Sequence, residues 1–484
     1  MAGRPNIICI IADDIGWRDV QCYGSSFYET PNIDRLAAEG TKFTNAYAAA
    51  PVCSPTRASI QTGRYPSRIG VTDWIDSSET THPARGKLID APYADHLPHE
   101  EKTIASELAD HGYHTWHVGK WHLGGRKQQS RPEDHGFAVN IGGCALGSPH
   151  QGYFGPWGIP TLTEKDNDEK RYLPNRLGEE VVNLIDRHAH NDDPFFLQFA
   201  PYLVHTPLEA PEQDIERYEE KRNQLGLTEK EVVKIGRHFP TEHKKDLRIK
   251  RRLVQSHPIY AAMVEALDRN VGRLLDALEQ TGQANETVII FTSDNGGLAT
   301  AEGSPTTNLP LREGKGWMEE GGNRVPFIIR WPGVSDQETA PDTCEIPVSS
   351  QDVFPTLLAA AGRSLPDDRI IDGEDLRPAL SGGKLSREAL FWHYPHYGNQ
   401  GGTPAGAIRV GDWKLIEFFE NNRIELYNLR QDISERRDLS DERTDMASDL
   451  LKRLRTWRRS VGAREPAENP DYNPWACRAE PGSE

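Results

Sequence analysis

Residues 6 to 14 read Asn-Ile-Ile-Cys-Ile-Ile-Ala-Asp-Asp, an apolar run that ends at two carboxylates. The run is too short and wrongly flanked for a signal peptide, and it predicts a first β-strand. Similar runs at residues 114 to 118, 194 to 200, 287 to 292 and 326 to 331 predict further strands. Because amphipathic helical patterns separate these runs, we expect an α/β fold with a large, mostly parallel sheet sandwiched by helices.

The pattern of the chain changes at about residue 380. Before this point, apolar residues recur at helical spacing in three segments: residues 32 to 39, 259 to 280 and 348 to 361. After it come short strand-like pieces around Ile408 and at residues 413 to 419 and 424 to 427, and then a helical pattern from about 445 to 460. We therefore predict a large domain over residues 1 to 375 and a smaller α+β domain with an antiparallel sheet over residues 376 to 484.

Charge and composition exclude some classes of partner. The 484 residues include 73 acidic and 56 basic side chains, for a formal net charge of -17. This charge argues against a nucleic-acid partner, and an anionic ligand would need a locally positive pocket. No run of about 18 apolar residues occurs, so we expect no membrane-spanning segment. The compartment is expected to be cytoplasmic, or periplasmic or secreted if a leader has been removed.

The six cysteines are widely scattered and lack the paired spacing of a metal site; they are Cys9, Cys22, Cys53, Cys144, Cys344 and Cys477. A chain of this length needs no disulfides to hold its core together. We expect most of them to be free or buried thiols, although a disulfide remains open.

Polar side chains follow four of the predicted strands. In chain order, these side chains are Asp13 and Asp14, then Lys120 and His122, then His205, and then Asp294 and Asn295. Ligands of open α/β sheets bind beyond the carboxyl ends of the strands. Carboxylate and amide oxygens suit a hard cation such as calcium, whereas lysine and histidine suit an oxyanion. One Asp-Asp pair is more often a turn or a helix cap, but four strand ends together indicate a site.

Two local patterns refine this prediction. Lys120 and His122 are two residues apart, so in an extended segment they face the same way and Trp121 faces the core. In Cys53-Ser54-Pro55-Thr56-Arg57, Ser54 suits an N-cap and Pro55 the first position of a helix that runs to about Gln61. Cys53 would then lie where helix N-H groups stabilise an anion, with Arg57 one turn on. A buried structural cysteine is the alternative.

The segment from Cys53 to Arg57, followed by Thr62-Gly63-Arg64, resembles the Cys-x-Pro-x-Arg signature of type I sulfatases, the formylglycine-dependent family of the alkaline phosphatase-like superfamily. Six further motifs follow the order of that family over about the first 330 residues. They are Asp13-Asp14-Ile15-Gly16-Trp17, Gly119-Lys120-Trp121-His122-Leu123-Gly124, His205-Thr206-Pro207-Leu208, Ser293-Asp294-Asn295-Gly296-Gly297, Arg312-Glu313-Gly314-Lys315-Gly316 and Glu320-Gly321-Gly322-Asn323-Arg324-Val325-Pro326.

The resemblance implies the site residues and their roles. A maturation enzyme would convert Cys53 to formylglycine, whose hydrated aldehyde supplies the nucleophile. One calcium ion would be bound by Asp13, Asp14, Asp294 and Asn295 together with the modified Cys53. Sulfate binding and catalysis would fall to Cys53, Arg57, Lys120, His122, His205 and Lys315. In the implied reaction His205 or Lys315 protonates the leaving alcohol, and His122 takes a proton from the second hydroxyl of the hydrate.

The expected substrate is a sulfated small molecule, with a sulfated carbohydrate favoured. We expect the smaller domain to contribute to the substrate pocket. Candidate specificity segments are Asp73 to Asp76 with Trp74, His96 to His99, His150 to Trp157, and Trp392 to Tyr397 before a glycine-rich loop. Aromatic packing between the domains is an equal alternative for these segments. The charged residues 211 to 257, with their basic stretch 243 to 252, are interpreted as a solvated helix face or as a lip for a sulfated polymer.

Three other interpretations remain open at this point. A phosphonate monoester hydrolase or phosphodiesterase of the same superfamily can share the fold, the metal ligands and even the cysteine motif. A non-catalytic carbohydrate-binding protein can keep the fold, although the complete set of polar residues argues against it. The sequence also allows an enzyme whose Cys53 is unmodified, because it shows the motif but never the oxidation.

Overall fold

The computed structural model describes residues 4 to 75, 86 to 162, 170 to 227 and 232 to 473. Asp76, the end of one predicted specificity segment, and Cys477 lie outside these residues. None of the helices in the described ranges combines the length and the apolarity needed to cross a membrane.

The strands are short and mostly buried. In chain order they are β1 (Asn6–Ala12), β2 (Thr41–Phe43), β3 (Ala46–Tyr47), β4 (Leu88–Ile89), β5 (His114–Gly119), β6 (Val139–Ile141), β7 (Phe195–Ala200), β8 (Val233–His238), β9 (Arg248–Arg252), β10 (Thr287–Ser293), β11 (Phe327–Arg330), β12 (Thr343–Cys344), β13 (Val348–Ser349), β14 (Leu390–Tyr394), β15 (Ala405–Val410), β16 (Trp413–Phe418), β17 (Arg423–Asn428) and β18 (Ala467–Glu468).

The α-helices range from one turn to more than six turns. In chain order they are α1 (Pro31–Ala38), α2 (Cys53–Thr62), α3 (Pro66–Ile69), α4 (Ile104–Ala109), α5 (Leu173–His188), α6 (Glu212–Gln224), α7 (Pro258–Gln280), α8 (Glu320–Asn323), α9 (Val353–Ala360), α10 (Arg377–Leu380) and α11 (Thr444–Ser460).

The main sheet has eight strands in the order β12-β2-β11-β10-β1-β7-β5-β6. Its centre is parallel, because β1 pairs in parallel with both β10 and β7, and β7 with β5. Only β11 runs against the other strands, since it pairs antiparallel with β10 and with β2. The sheet is therefore mostly parallel, as predicted, and it aligns the carboxyl ends of β1, β5, β7 and β10 on one edge.

Alternate residues of the central strands face two different cores. Ile8 and Ile10 of β1 belong to a core with apolar residues of α1, α5 and α7. Ile7 and Ile11 belong to a second core with residues of α2, α4 and α9. Helices thus cover both faces of the sheet, which explains why its central strands are continuous apolar runs.

The smaller C-terminal unit is a four-stranded antiparallel sheet in the order β14-β15-β16-β17. One face of this sheet packs against α11, with Leu415 and Leu454 in a shared core. The other face packs against the first part of the chain, where Tyr47 lies 5.2 Å from the Trp392 ring. The antiparallel sheet and its helix agree with the predicted fold class. The boundary between residues 375 and 376 stays a prediction.

Two predicted elements are wrong in part. The charged residues 211 to 257 do include a largely exposed helix, α6, but the basic stretch 243 to 252 is no helix face, because it forms the turn and the second strand of the antiparallel β8-β9 hairpin. Ile249 is fully buried between exposed Arg248 and Lys250, and this period of two marks a strand that the charges had concealed. The helix expected at residues 348 to 361 begins only at Val353, because Ser349 and Asp352 form a capping box around a 3₁₀ turn.

Candidate active site

Three carboxylates meet where β1 and β10 end. Ala12 pairs with Ser293 in the parallel register, so the residues that follow the two strands lie side by side. The backbone N-H of Asp14 donates to Oδ1 of Asp294 over 3.2 Å. Asp13, Asp14 and Asp294 are almost completely buried. Buried carboxylates this close together require cations or a metal ion to balance them.

The chain supplies one cation for each carboxylate. Lys120 Nζ lies 2.9 and 2.8 Å from the two carboxylate oxygens of Asp13. Lys315 Nζ donates to Asp14 over 2.8 Å, and Arg57 Nε donates to Asp294 over 2.8 Å. These three cations are the lysines and the arginine that the resemblance assigns to sulfate binding.

The same region has the geometry of a metal site. Ligand atoms of Asp13, Asp14, Cys53 and His205 all lie within 4.8 Å of one another. Asn295 Nδ2 donates to Asp14 over 2.8 Å, which leaves the amide oxygen of Asn295 buried without a hydrogen-bond partner among the described residues. Carboxylate oxygens with an unpartnered amide oxygen are the donor set of a hard cation such as calcium. The residues therefore fit the expected metal.

The three carboxylates have unequal acidities. Burial raises the pKa of Asp13 to about 8, although Lys120 opposes the shift. Burial would also raise the pKa of Asp14, but Lys315 and His205 outweigh it and hold the pKa below its usual range. For Asp294, Arg57 and Lys120 likewise outweigh burial and lower the pKa. Asp14 and Asp294 are thus fixed as anions, and Asp13 depends most on its counter-ion.

Cys53 is the first residue of α2, next to the carboxylates. Its Sγ lies 3.7 Å from Oδ1 of Asp13. The helix begins two residues earlier than predicted, because Val52 and not Ser54 is the N-cap. Ser54 instead donates from Oγ to the His122 carbonyl and accepts from the Ile75 N-H. Burial, and then Asp294, raise the pKa of the Cys53 thiol, so an unmodified Cys53 is protonated at neutral pH.

The backbone conformation that places His122 at the site was not predicted from the sequence. Its backbone φ is 59°, in the left-handed region, so the segment after β5 is not extended at this residue. The ring Nε2 donates to the carbonyl of Ile75 over 2.8 Å. Burial lowers the pKa of His122, so the ring is neutral with its proton on Nε2, and Nδ1 is an acceptor without a hydrogen-bond partner among the described residues. Trp121 faces the core as expected, with its indole N-H on the Ser130 carbonyl.

His205 and Lys315 form a pair. The ring Nδ1 of His205 donates to the Thr206 carbonyl over 2.8 Å, so Nε2 is the acceptor for Lys315 Nζ, 3.0 Å away. Burial and the Lys315 charge lower the pKa of His205 to about 3. Burial alone would lower the pKa of Lys315, but the negative charge of Asp14 outweighs burial and raises this pKa. The charged ammonium of Lys315 thus donates a hydrogen bond to the neutral imidazole of His205.

A cavity of about 190 Å³ opens above Cys53. Of the predicted site residues, Cys53, His122, His205 and Lys315 line it. Six further lining residues were not predicted from the sequence, and these are Val52, Gly147, Ser148, Glu302, Asn399 and Gln400. Val52 directly precedes Cys53, and Glu302 lies in a polar loop between two predicted site residues, Asn295 and Lys315. The other four lie on irregular segments that only tertiary packing brings to the site.

The predicted specificity segments divide into two groups. Trp74 and His150 line the cavity. His99 instead stacks on His135, at 5.9 Å between ring centroids. Trp157 is buried with its indole N-H on the Tyr153 carbonyl, and Trp392 donates to the Ala48 carbonyl between the two parts of the chain. For Trp392 the alternative of aromatic packing is therefore the right one.

Comparison with known proteins identifies the family. The family model described as Sulfatase matches residues 5–363. The chain belongs to the sulfatase family. A second model, described as N-sulphoglucosamine sulphohydrolase, C-terminal, matches residues 314–460 of this sulfatase. The fold is accordingly of the alkaline phosphatase-like type, and the protein is a sulfuric ester hydrolase.

Individual relatives align over most of this sulfatase. A sulfatase of Formosa agariphila is 30% identical, over 94% of this chain and 88% of its own length. Human steryl-sulfatase is 33% identical, over 81% of this chain and 72% of its own. Ps i-CgsB in complex with k-i-k-neocarrahexaose superimposes with a TM-score of 0.72 at 29% identity and covers 99% and 98% of the two chains.

A phosphonate monoester hydrolase, the alternative enzyme class of the same superfamily, shares the fold as well. The phosphonate monoester hydrolase of Agrobacterium radiobacter has a TM-score of 0.63 at 20% identity, over 95% of this chain and 96% of its own. At this identity the likeness concerns the fold alone, and the sulfatase family model decides between the two classes.

Proposed function

We propose that this sulfatase removes a sulfate ester from a saccharide, with a formylglycine made from Cys53 as nucleophile and one calcium ion. The observation that carries the proposal is the position of Cys53. It begins α2, its Sγ is 3.7 Å from Asp13, and it lines the same cavity as Lys315 and His205. A nucleophile, a cation site and a proton donor thus share one small space.

The lining of the cavity offers several groups that suit a sugar. Ser148, His150, Asn399 and Gln400 offer hydrogen bonds, and Trp74 offers one aromatic surface beside the apolar Val52 and Ile75. Hydrogen-bonding groups around an aromatic ring suit a hydroxyl-rich substrate. The name of the Ps i-CgsB complex, which contains a neocarrahexaose, agrees with a saccharide.

Asp13, Asp14, Asp294 and Asn295 would bind the calcium ion, and its bound charge would polarise the sulfate and acidify the hydrated aldehyde. Each of the three carboxylates accepts a hydrogen bond from a lysine or arginine side chain. We infer that Arg57, Lys120 and Lys315 serve both partners, holding the carboxylates before the substrate binds and the sulfate oxygens afterwards.

Two histidines would move protons at defined atoms. The proton for the leaving alcohol is held between Lys315 Nζ and His205 Nε2, which are 3.0 Å apart. The proton released from the nucleophile has an acceptor at His122 Nδ1, because Nε2 of that ring is occupied by the Ile75 carbonyl. The Thr206 and Ile75 carbonyls thus set the ring tautomers that the reaction requires.

Maturation has to precede folding in this scheme. Cys53 is only 2% exposed, and its helix is buried over its whole length. A formylglycine-generating enzyme would therefore act on the segment around Cys53 before α2 packs against the sheet.

The proposal is tested by releasing sulfate from matched substrates. The chain is co-expressed with a formylglycine-generating enzyme and assayed with sulfated mono- and oligosaccharides, an aryl sulfate, a steryl sulfate and the corresponding phosphate esters. We expect the highest kcat/KM on a sulfated saccharide, and activity that is lost with a chelator. If only phosphoryl or phosphonate esters are hydrolysed, the proposal is wrong and the phosphonate hydrolase alternative is right.

A further inference from the structure

Glu302 is a carboxylate at the cavity that the proposed chemistry does not use. It lies in the loop between β10 and Lys315, lines the cavity with Cys53 and Lys315, and is otherwise exposed. Its two carboxylate oxygens accept hydrogen bonds from two segments that are distant in sequence. Oε1 accepts from Gln400 Nε2 over 2.9 Å, and Oε2 accepts from Thr206 Oγ1 over 3.1 Å.

The backbone at Glu302 is strained to achieve this position. Its φ is 51°, in the left-handed region, where a residue other than glycine costs about 1 to 2 kcal/mol. A residue persists in this conformation only where the surrounding structure holds it there. The two hydrogen bonds to Gln400 and Thr206 provide that hold, and they bridge the C-terminal sheet unit to the segment after β7.

The described lining of the cavity includes one lysine and one glutamate. Among the described lining residues, Lys315 is the only lysine or arginine, and Glu302 is the only carboxylate. Lys315 is already in contact with Asp14 and His205. Lys315 can therefore match the sulfate that reacts, but the described part of the lining offers no further lysine or arginine to a second anionic group, which would meet the Glu302 charge instead.

We propose that Glu302 is a specificity-determining residue that selects a sugar with one sulfate and rejects a second sulfate or a carboxylate on the same sugar. Each of its oxygens keeps lone-pair capacity after the bonds to Gln400 and Thr206 and can accept a hydroxyl or ammonium proton of the substrate. This inference rests on the proposed saccharide sulfatase function and names the class of sugar.

Binding to an inactive variant tests the inference without turnover. Full-length Cys53→Ala protein with calcium is titrated calorimetrically with a monosulfated sugar that the active enzyme cleaves, and with the same sugar carrying a second sulfate. At 50 mM salt we expect the monosulfated sugar to bind about tenfold more tightly, which at this exposed site corresponds to one screened like-charge contact. Raising the salt to 500 mM should reduce this preference to about twofold.

A charge series at position 302 then separates charge from shape. In the same background Glu302→Gln should remove most of the preference, and Glu302→Lys should reverse it. Glu338→Gln, an exposed glutamate outside the cavity, should leave it unchanged. An equal preference in the parent, Glu302→Gln and Glu302→Lys proteins would overturn the inference while leaving the saccharide sulfatase proposal intact. Failure of the active enzyme to release sulfate from any sugar would overturn both.

Discussion

Lys120 Nζ lies within 2.9 Å of both carboxylate oxygens of Asp13, and neither residue is accessible to solvent. The pair joins the ends of β5 and β1 across the intervening β7. A buried ion pair of this kind contributes little net stability, but removal of one partner leaves an uncompensated charge that costs about 3 to 5 kcal/mol. We therefore expect the Lys120 ammonium to stabilise Asp13 at this edge of the sheet and to contact the sulfate in the proposed reaction.

Replacement of Lys120 by methionine should reduce kcat/KM for sulfate release by about 100-fold or more, because it removes one sulfate contact and leaves Asp13 unpaired. The midpoint of thermal unfolding should fall as well. The matched control is Lys102→Met, which removes an exposed lysine outside the site. Kinetics of both variants on one substrate check the prediction, and equal activity in the two would contradict the assigned role.

Gly147 should be intolerant of even a methyl group. A Cβ at this position would lie 2.6 Å from Cε1 of the His122 ring, which must then move. We expect Gly147→Ala to fold normally and to lose about 10- to 100-fold in kcat, because displacement of a catalytic group by about 1 Å has an effect of that size. Gly236→Ala, whose new Cβ has no contact under 3.4 Å, is the control. Wild-type kcat in Gly147→Ala would show that the position of His122 is unimportant.

Calcium should stabilise the protein whether or not Cys53 is modified. At a free calcium concentration 100 times Kd, binding contributes about 2.7 kcal/mol, which for a chain of this length raises the unfolding midpoint by about 2 to 3 °C. Differential scanning fluorimetry in calcium and in chelator measures the shift. Asn295→Ala should lose most of it because the unpartnered amide oxygen is removed, whereas the exposed Asn285→Ala should keep it. Identical midpoints of the wild type in calcium and chelator would exclude a calcium site here.

The C-terminal sheet is fastened to the first part of the chain by a second buried group of charges. Lys414 Nζ of β16 lies 2.9 Å from Glu320 of α8 and 3.0 Å from Glu435. Lys414→Met would leave two buried carboxylates without their shared cation, and we expect a loss of about 3 to 5 kcal/mol in the free energy of unfolding. Denaturant titrations should show no such loss for Lys384→Met, an exposed lysine. A stability equal to that of the wild type would mean that the group does not hold the two units together.

The sequence predicted the parts of the fold that follow from local pattern. β1 and β10 are continuous apolar runs that end in acidic residues, so both the strands and the carboxylates at their ends could be placed. The β8-β9 hairpin could not, because its charges conceal the alternation around Ile249.

The site divides in the same way. The predicted metal and sulfate residues lie in motifs at strand ends, at the start of α2 and, for Lys315, in the loop before α8, and the structure places their side chains near one another. The left-handed conformation of His122 and the contact between Gly147 and its ring depend on packing between distant segments. Glu302 reaches the cavity only because Gln400 and Thr206, which are distant from it in sequence, hold its carboxylate. No periodic pattern records such contacts.

The most direct measurement is the mass of the peptide that contains Cys53, combined with sulfate release from the same preparation. Co-expression with a formylglycine-generating enzyme should lower the peptide mass by the conversion of thiol to aldehyde, and activity should rise in proportion to the converted fraction. Cys53→Ala should be inactive, whereas Cys22→Ala, a partly exposed cysteine outside the site, should retain full activity. Sulfate release by Cys53→Ala at the wild-type rate would contradict the account.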